Sequence, residues 1–70
     1  MLCTILGIDE QVLSGPIKAI SLWTADGQVT IMEHHEPCLM LLVSGELVVQ
    51  FQDKADPMRR FIGGGFVEVR

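Results

Sequence analysis

The fold class is decided by the stretch Glu46-Leu47-Val48-Val49-Gln50-Phe51-Gln52-Asp53-Lys54-Ala55-Asp56-Pro57-Met58-Arg59-Arg60-Phe61-Ile62. Leu47, Val49 and Phe51 alternate with other residues, and this period of two predicts a strand with one buried face. Residues 53–57 are rich in turn formers, and Pro57 lacks the N–H group that a central strand needs. The residues after Pro57 therefore predict a second strand that returns antiparallel to the first.

Short β-rich runs separated by Gly, Pro or Asp continue on both sides of this hairpin, a spacing typical of sandwiches and barrels. Strands are predicted near residues 2–6, 10–13, 17–23, 28–32, 38–42, 46–52, 58–62 and 65–69. The predicted fold class is all-β, a flattened antiparallel β-sandwich or barrel of about eight short strands.

Three sets of residues are predicted to shape the connections. Ser14-Gly15-Pro16 is predicted to separate the second strand from the third, and Asp26-Gly27 to form the turn that opens the fourth. Gly63-Gly64-Gly65 allows a bend or bulge that β-branched residues could not make. The segment 37–43 is a continuous apolar run and predicts a buried strand.

Length and composition predict one small domain over residues 1–70. The apolar fraction of 49% is enough for a core, and in so short a chain it suggests that some apolar surface faces a partner. The net charge of −4 and the lack of a basic stripe argue against nucleic acid and anionic membranes as partners. No apolar run approaches the ~20 residues that span a bilayer, so direct membrane insertion is not expected. Cys3 and Cys38 lack framework spacing and predict reduced thiols.

His34-His35-Glu36 and Cys38 are the residues that could ligate a metal. Adjacent residues of a strand point to opposite faces, and no second ligand pair such as CxxC or HxxxH is present. The sequence therefore predicts no metal site, with His35 half-buried or at an interface and His34 solvated.

Catalytic motifs are also weak. The triple glycine is followed by a predicted strand, whereas phosphate loops depend on the N-terminus of a following helix. Ser14, Ser21 and Ser44 lack a nucleophile context, and a Cys38–His35 dyad has no visible orienting group or oxyanion site. The sequence predicts a non-catalytic chain without a cofactor.

Trp23 and Met40 fit either core packing or an exposed apolar interface, and the pattern leaves both readings open.

Two segments carry a resemblance to a known family. The first is Trp23-Thr24-Ala25-Asp26-Gly27-Gln28-Val29-Thr30-Ile31-Met32-Glu33-His34-His35-Glu36-Pro37, followed by Leu41, Leu42 and Gly45. The second is Phe61-Ile62-Gly63-Gly64-Gly65-Phe66-Val67-Glu68-Val69. Together and in register they resemble the N-terminal β-sandwich of the epsilon subunit of F-type ATP synthase, over the whole chain.

The resemblance implies a non-catalytic rotor subunit of the central stalk that links the gamma subunit to the c-ring for rotary coupling. It implies a c-ring contact at Asp26, Gly27, Gln28 and Val29, and gamma-facing positions at Gly7, His35 and Met40. It also implies a peripheral location at the cytoplasmic face of the bacterial inner membrane, through the synthase complex.

The chain departs from the family in several places. Many members carry a Glu at Gln28, a Pro-Gly or Pro-Asn at Glu33-His34, and a Pro-Gly at Ser44-Gly45. The family continues into another strand and a helical hairpin that can inhibit ATP hydrolysis and, in some bacteria, bind ATP. Residues 1–70 include neither, so we expect no such inhibition or ATP binding by these residues. We expect an unpaired edge strand instead, which invites self-association.

Two other readings remain at this stage. His34-His35-Glu36 with the later Ser44-Gly45-Glu46-Leu47-Val48-Val49 resembles a cupin, a metal-dependent enzyme or binder, although cupins need His-x-His and a further histidine. The other reading is a free-standing homo-oligomeric β-domain that buries its apolar excess against itself.

Overall fold

The computed structural model describes residues 1–8, 11–34 and 36–70, and these residues form strands without any helix. Seven strands are present in the described part of the chain: β1 (Leu2–Leu6), β2 (Gln11–Thr24), β3 (Gly27–Met32), β4 (Cys38–Leu42), β5 (Gly45–Phe51), β6 (Met58–Ile62) and β7 (Gly65–Val69). Every strand pair is antiparallel. The all-β sandwich predicted from the sequence is confirmed.

The strands form two layers that share β2. Sheet A has the order β4-β7-β1-β2 and uses the first part of β2, whereas sheet B has the order β3-β2-β5-β6 and uses its second part. The hairpin that decided the fold class is β5–β6, with Glu46 opposite Phe61 and Val49 opposite Met58. The strand order does not close into a barrel, so the described fold is an open sandwich.

The second and third predicted strands are one strand. Ser14, Gly15 and Pro16 lie inside β2, where they pair with Thr4, Cys3 and Leu2 of β1. Gly15 has a φ of 155°, and the register with β5 shifts between Ile17 and Ala19. The turn-forming residues therefore bend the strand from sheet A into sheet B and do not reverse it, so the predicted break at 14–16 is wrong.

The core lies between the two sheets and contains only apolar side chains and one thiol. Its buried members are Cys3, Ile5, Ile17, Ile20, Leu22, Ile31, Leu42, Leu47, Val49, Ile62, Val67 and Val69. The predicted alternation holds, since Leu47 and Val49 are buried while Glu46 is exposed. Phe51 is half-buried at the margin of the core.

The strand predicted to be buried at 38–42 is an edge strand. β4 pairs with β7 on one side only, and its residues alternate between inside and outside. Leu42 is buried, whereas Leu39 and Leu41 are 70% and 75% exposed. The prediction of a buried strand is wrong for these two leucines, because a uniformly apolar run carries no alternation that marks its outer face.

Sheet A needs a glycine where β7 begins. Gly65 has a φ of 141°, and a Cβ atom there would collide with the backbone carbonyl oxygen of Leu6 and lie 3.0 Å from the Cα of Gly7. The triple glycine thus brings β7 into sheet A beside the end of β1.

Candidate docking surfaces

The turn between β2 and β3 is a two-residue hairpin loop held by a threonine. Thr24 pairs with Gly27, its hydroxyl donates to the Gly27 carbonyl at 3.0 Å, and it accepts from the Asp26 N–H at 3.2 Å. Gly27 has a φ of 118°, which favours glycine. The Asp26 carboxylate is exposed and takes no part in these bonds, so the turn presents one negative charge on a fixed backbone.

The remaining residues predicted to contact a c-ring divide between two faces of β3. Gln28 is exposed, whereas Val29 is half-buried and packs against the core. Asp26, Gly27 and Gln28 therefore form the outer part of the turn, and Val29 anchors it.

An apolar row crosses the outer face of sheet A. Phe66 of β7 lies opposite Leu41 of β4 on one side and opposite Leu6 of β1 on the other. Directly opposed residues of an antiparallel pair share a face, so these three side chains are neighbours. Their exposed fractions are 44%, 75% and 37%, and Leu39 lies two residues along β4. Leu6, Phe66, Leu41 and Leu39 are named the outer apolar row below.

Two of the predicted gamma-facing residues lie beside this row. Met40 is half-buried, lies opposite Val67, and packs against the core from β4. Gly7 follows Leu6 and lies against Gly65. Met40 therefore lies between Leu39 and Leu41 in β4 but packs against the core, whereas Gly7 follows Leu6 at the other end of the row. His35, the third predicted position, lies outside the described residues.

A shallow groove of about 410 Å³ joins the turn to the row. Its lining residues come from the β2–β3 turn and from β4: Thr24, Ala25, Asp26, Val29, Met40 and Leu41. The N–H of Val43 donates to the carbonyl of Trp23 at 2.9 Å and ties the end of β4 to the end of β2. The acidic turn and the apolar row therefore form one continuous surface.

Trp23 is partly exposed and packs against the start of β5. A Cβ atom at Gly45 would lie 2.5 Å from the Cδ1 atom of Trp23, so the indole covers this glycine closely. Trp23 is 41% exposed, which makes it neither a core residue nor part of the outer apolar row. The sequence left open whether Trp23 and Met40 pack in the core or lie at an exposed apolar interface. Trp23 fits each interpretation only in part, whereas Met40 contacts the core and borders the surface.

Hydroxyl side chains pair across neighbouring strands at two places. The Ser14 hydroxyl bonds with Thr4 at 3.3 Å, and Ser21 bonds with Thr30 at 3.0 Å. Burial and the nearby Cys38 thiol raise the pKa of Cys3 to about 11, which keeps this thiol protonated and a poor nucleophile near neutral pH. The two hydroxyl pairs join neighbouring strands, and the protonated Cys3 thiol is not an activated nucleophile.

Cys3 and Cys38 both lie opposite Val69, on the two strands that flank β7. Two strand spacings separate their Cα atoms by roughly 10 Å, beyond the 7 Å or so that a disulfide tolerates.

His34 lies in the turn after β3 with a φ of 72°, exposed and off any strand. Within residues 1–8, 11–34 and 36–70, no group of three His, Cys, Asp or Glu side chains could hold a metal ion. The described residues also contain no helix able to cross a membrane.

Comparison with known proteins identifies the family. The family model for the ATP synthase delta/epsilon chain β-sandwich domain matches residues 1–70. The chain belongs to this family. A protein of Chloroflexus aggregans named ATP synthase epsilon chain is 34% identical over 65 residues, which cover 93% of this chain and 45% of the relative. The ATP synthase epsilon chain of Acinetobacter baylyi is 27% identical over 70 residues, all of this chain and 50% of the relative.

The chain therefore spans about half the length of the relatives that it matches. The resemblance noted from the sequence is confirmed, and it replaces the cupin reading. His34 adopts the left-handed conformation that Gly and Asn favour, and these are the residue types that the resemblance implies at this position.

The exposure of the two β4 leucines of the outer apolar row was not predicted from the sequence. Leu39 and Leu41 stand in a run of five apolar residues, so nothing in the local pattern separates inside from outside. Phe66 and Leu6 were predicted as strand residues, but only the pairing of β7 with both β1 and β4 brings them into one row.

Proposed function

We propose that the chain is the β-sandwich of a rotor subunit in the central stalk of a proton-translocating F-type ATP synthase. It links the gamma subunit to the c-ring and passes torque between them without catalysis of its own. In this role it binds no cofactor and is peripheral to the membrane through the complex, at the cytoplasmic face of a bacterial inner membrane.

The observation that carries this proposal is the continuous surface made by the acidic turn and the outer apolar row. Exposed apolar patches rimmed by polar groups mark protein interfaces. Leu41 and Phe66 give the row an apolar centre, and Met40 beside them adapts easily to a partner. The gamma-binding residues in this proposal are Gly7, His35 and Met40, together with the row.

The c-ring contact is proposed at Asp26, Gly27, Gln28 and Val29. The Asp26 carboxylate stands at the tip of the hairpin and suits basic side chains on the loops of a c-ring. Thr24 fixes the backbone of the turn, so the charge is presented without a large ordering cost.

Binding to the gamma subunit tests the proposal with a matched pair of phenylalanines. Phe66→Lys places a charge in the centre of the row, whereas Phe61→Lys places the same charge on β6 of sheet B, where Phe61 is 74% exposed. We expect Phe66→Lys to weaken gamma binding at least tenfold in a titration and Phe61→Lys to leave it within about twofold. Equal effects of the two variants would remove the row as the gamma-binding surface.

A further inference from the structure

The open edges of the sandwich differ in how well they are protected. Among residues 1–8, 11–34 and 36–70, the strands β3, β4 and β6 each have one neighbouring strand in their sheet. An edge strand presents unpaired N–H and C=O groups that can template another strand. Natural proteins block such edges with charged side chains, prolines or bulges.

The first part of β2 is a further edge, of sheet A, and the three edges other than β4 differ from β4 in composition. Arg59 and Arg60 stand at the centre of β6. The outward residues of β3 include Gln28 and Thr30. The first part of β2, which borders sheet A, contains Gly15 and Pro16. The arginines of β6 and the proline of β2 therefore resist the addition of another strand, and β3 is more polar than β4.

β4 has none of these protections. Its five residues are Cys38, Leu39, Met40, Leu41 and Leu42, without charge, proline or glycine. Its outward side chains are two leucines that are 70% and 75% exposed. Such an apolar and uncharged edge favours pairing with another chain.

We propose that β4 pairs antiparallel with β4 of a second copy of the chain. A two-fold pairing centred on Met40 places Leu39 of one copy opposite Leu41 of the other and opposes no like charges. The same arrangement at β6 would place Arg60 opposite Arg60, which is unfavourable. The pairing through β4 joins the two A sheets and continues the outer apolar row from one copy into the next.

The second copy is favoured as the occupant because the edge is complementary to itself in backbone and in side chains. The interface is short: β4 has five residues, and beyond it the Val43 N–H is already bonded to Trp23. One strand pair lies at the small end of protein interfaces, so we expect a dissociation constant of about 10–100 µM. This dimer goes beyond the proposed function and occludes part of the gamma-facing surface.

Sedimentation velocity of the purified chain over a concentration series from about 5 to 500 µM tests the proposal. The strands β4, β3 and β6 supply matched variants, since each carries a strongly exposed apolar side chain: Leu39 on β4 (70%), Met32 on β3 (61%) and Phe61 on β6 (74%). We expect the natural chain, Met32→Lys and Phe61→Lys to dimerise, and Leu39→Lys to stay monomeric throughout. Circular dichroism checks that each variant is folded, and Leu41→Lys replaces Leu39→Lys if the latter is not.

Hydrogen exchange adds a reading that does not depend on a variant. We expect the amides of 38–42 to gain protection as the concentration of the natural chain rises, and those of 58–62 to remain unchanged. A chain that is monomeric up to about 500 µM would overturn the proposal. The proposal would also be overturned if Phe61→Lys abolished the dimer while Leu39→Lys still dimerised. Phe66 lies on β7, one strand inward from the edge. We expect Phe66→Lys to dimerise normally but to lose gamma binding, so this variant distinguishes a failure of the dimer from a failure of the proposed function.

Discussion

The triple glycine supplies a sharp test of the fold because its members occupy three different environments. At Gly65, a side chain would meet the backbone carbonyl of Leu6, and φ is 141°. At Gly64, φ is 121° and the nearest atom is the Leu42 carbonyl oxygen at 3.4 Å. At Gly63, no atom lies within 4 Å of the added Cβ. Alanine substitution should therefore cost most at Gly65 and least at Gly63.

The expected magnitudes follow from these environments. Gly65→Ala combines backbone strain of about 1–3 kcal/mol with overpacking of about 1–3 kcal/mol, so we expect a loss of roughly 2–6 kcal/mol. Gly64→Ala has the strain alone and should lose about 1–3 kcal/mol. Gly63→Ala should change stability by no more than about 0.5–1 kcal/mol in either direction. Cores of this size supply about 3–5 kcal/mol in total, so Gly65→Ala should be largely unfolded.

Urea unfolding followed by the fluorescence of Trp23, the only tryptophan of the chain, measures these differences. Circular dichroism of the same samples reports the loss of strand structure. The reasoning would be refuted if Gly65→Ala were as stable as Gly63→Ala, because β7 could not then pass so close to the end of β1.

Further predictions concern five single residues. Asp26→Ala should leave the urea midpoint unchanged but weaken binding to an isolated c-ring, and unfolding of this variant would show that the carboxylate is structural. Thr24→Val should lose about 1 kcal/mol of stability, because the turn loses the hydrogen bonds of the threonine hydroxyl. His34→Asn should stabilise the chain by about 0.5–1 kcal/mol in thermal melts, because Asn tolerates the left-handed conformation better, and a lower melting temperature would contradict this. The pKa of Cys3 is raised from 9.0 to about 11 on folding, so the contribution of this thiol to stability should be constant below pH 9 and should fall by about 2–3 kcal/mol between pH 9 and 11. Urea unfolding of Cys3→Ala over the same pH range should therefore show a shallower decline of stability than the natural chain. Identical declines would exclude the thiol as a cause. Met40→Ala should weaken gamma binding measured by pull-down, and unchanged affinity would remove Met40 from the interface.

The strands could be predicted from the sequence wherever a local signal marked both ends. The bounds of β1, β4, β6 and β7 match the predicted segments, and the β5–β6 hairpin follows from its alternation and from Pro57. The failure at Ser14-Gly15-Pro16 has a physical cause. Ser, Gly and Pro are found both in turns that reverse the chain and in bends within one strand. Only the pairing of Gly15 with Cys3 shows that these residues bend β2.

The surface could be predicted only in part. Asp26-Gly27 is a local turn signal, and its place at the tip of a hairpin followed from the sequence. The outer apolar row did not, because Leu6, Phe66 and Leu41 come from three strands distant in the chain. Their exposure depends on β4 being an edge strand, which is a property of the whole sheet order and not of any local pattern.

The central claim is that this sandwich acts through what its outer surface binds. The most direct measurement is a titration of the purified chain with the gamma subunit encoded in the same genome, followed by gel filtration of the mixture with c-rings. The account predicts saturable binding with one chain per gamma subunit and a complex that includes the c-ring. A chain that binds neither component at concentrations where it is folded would contradict it.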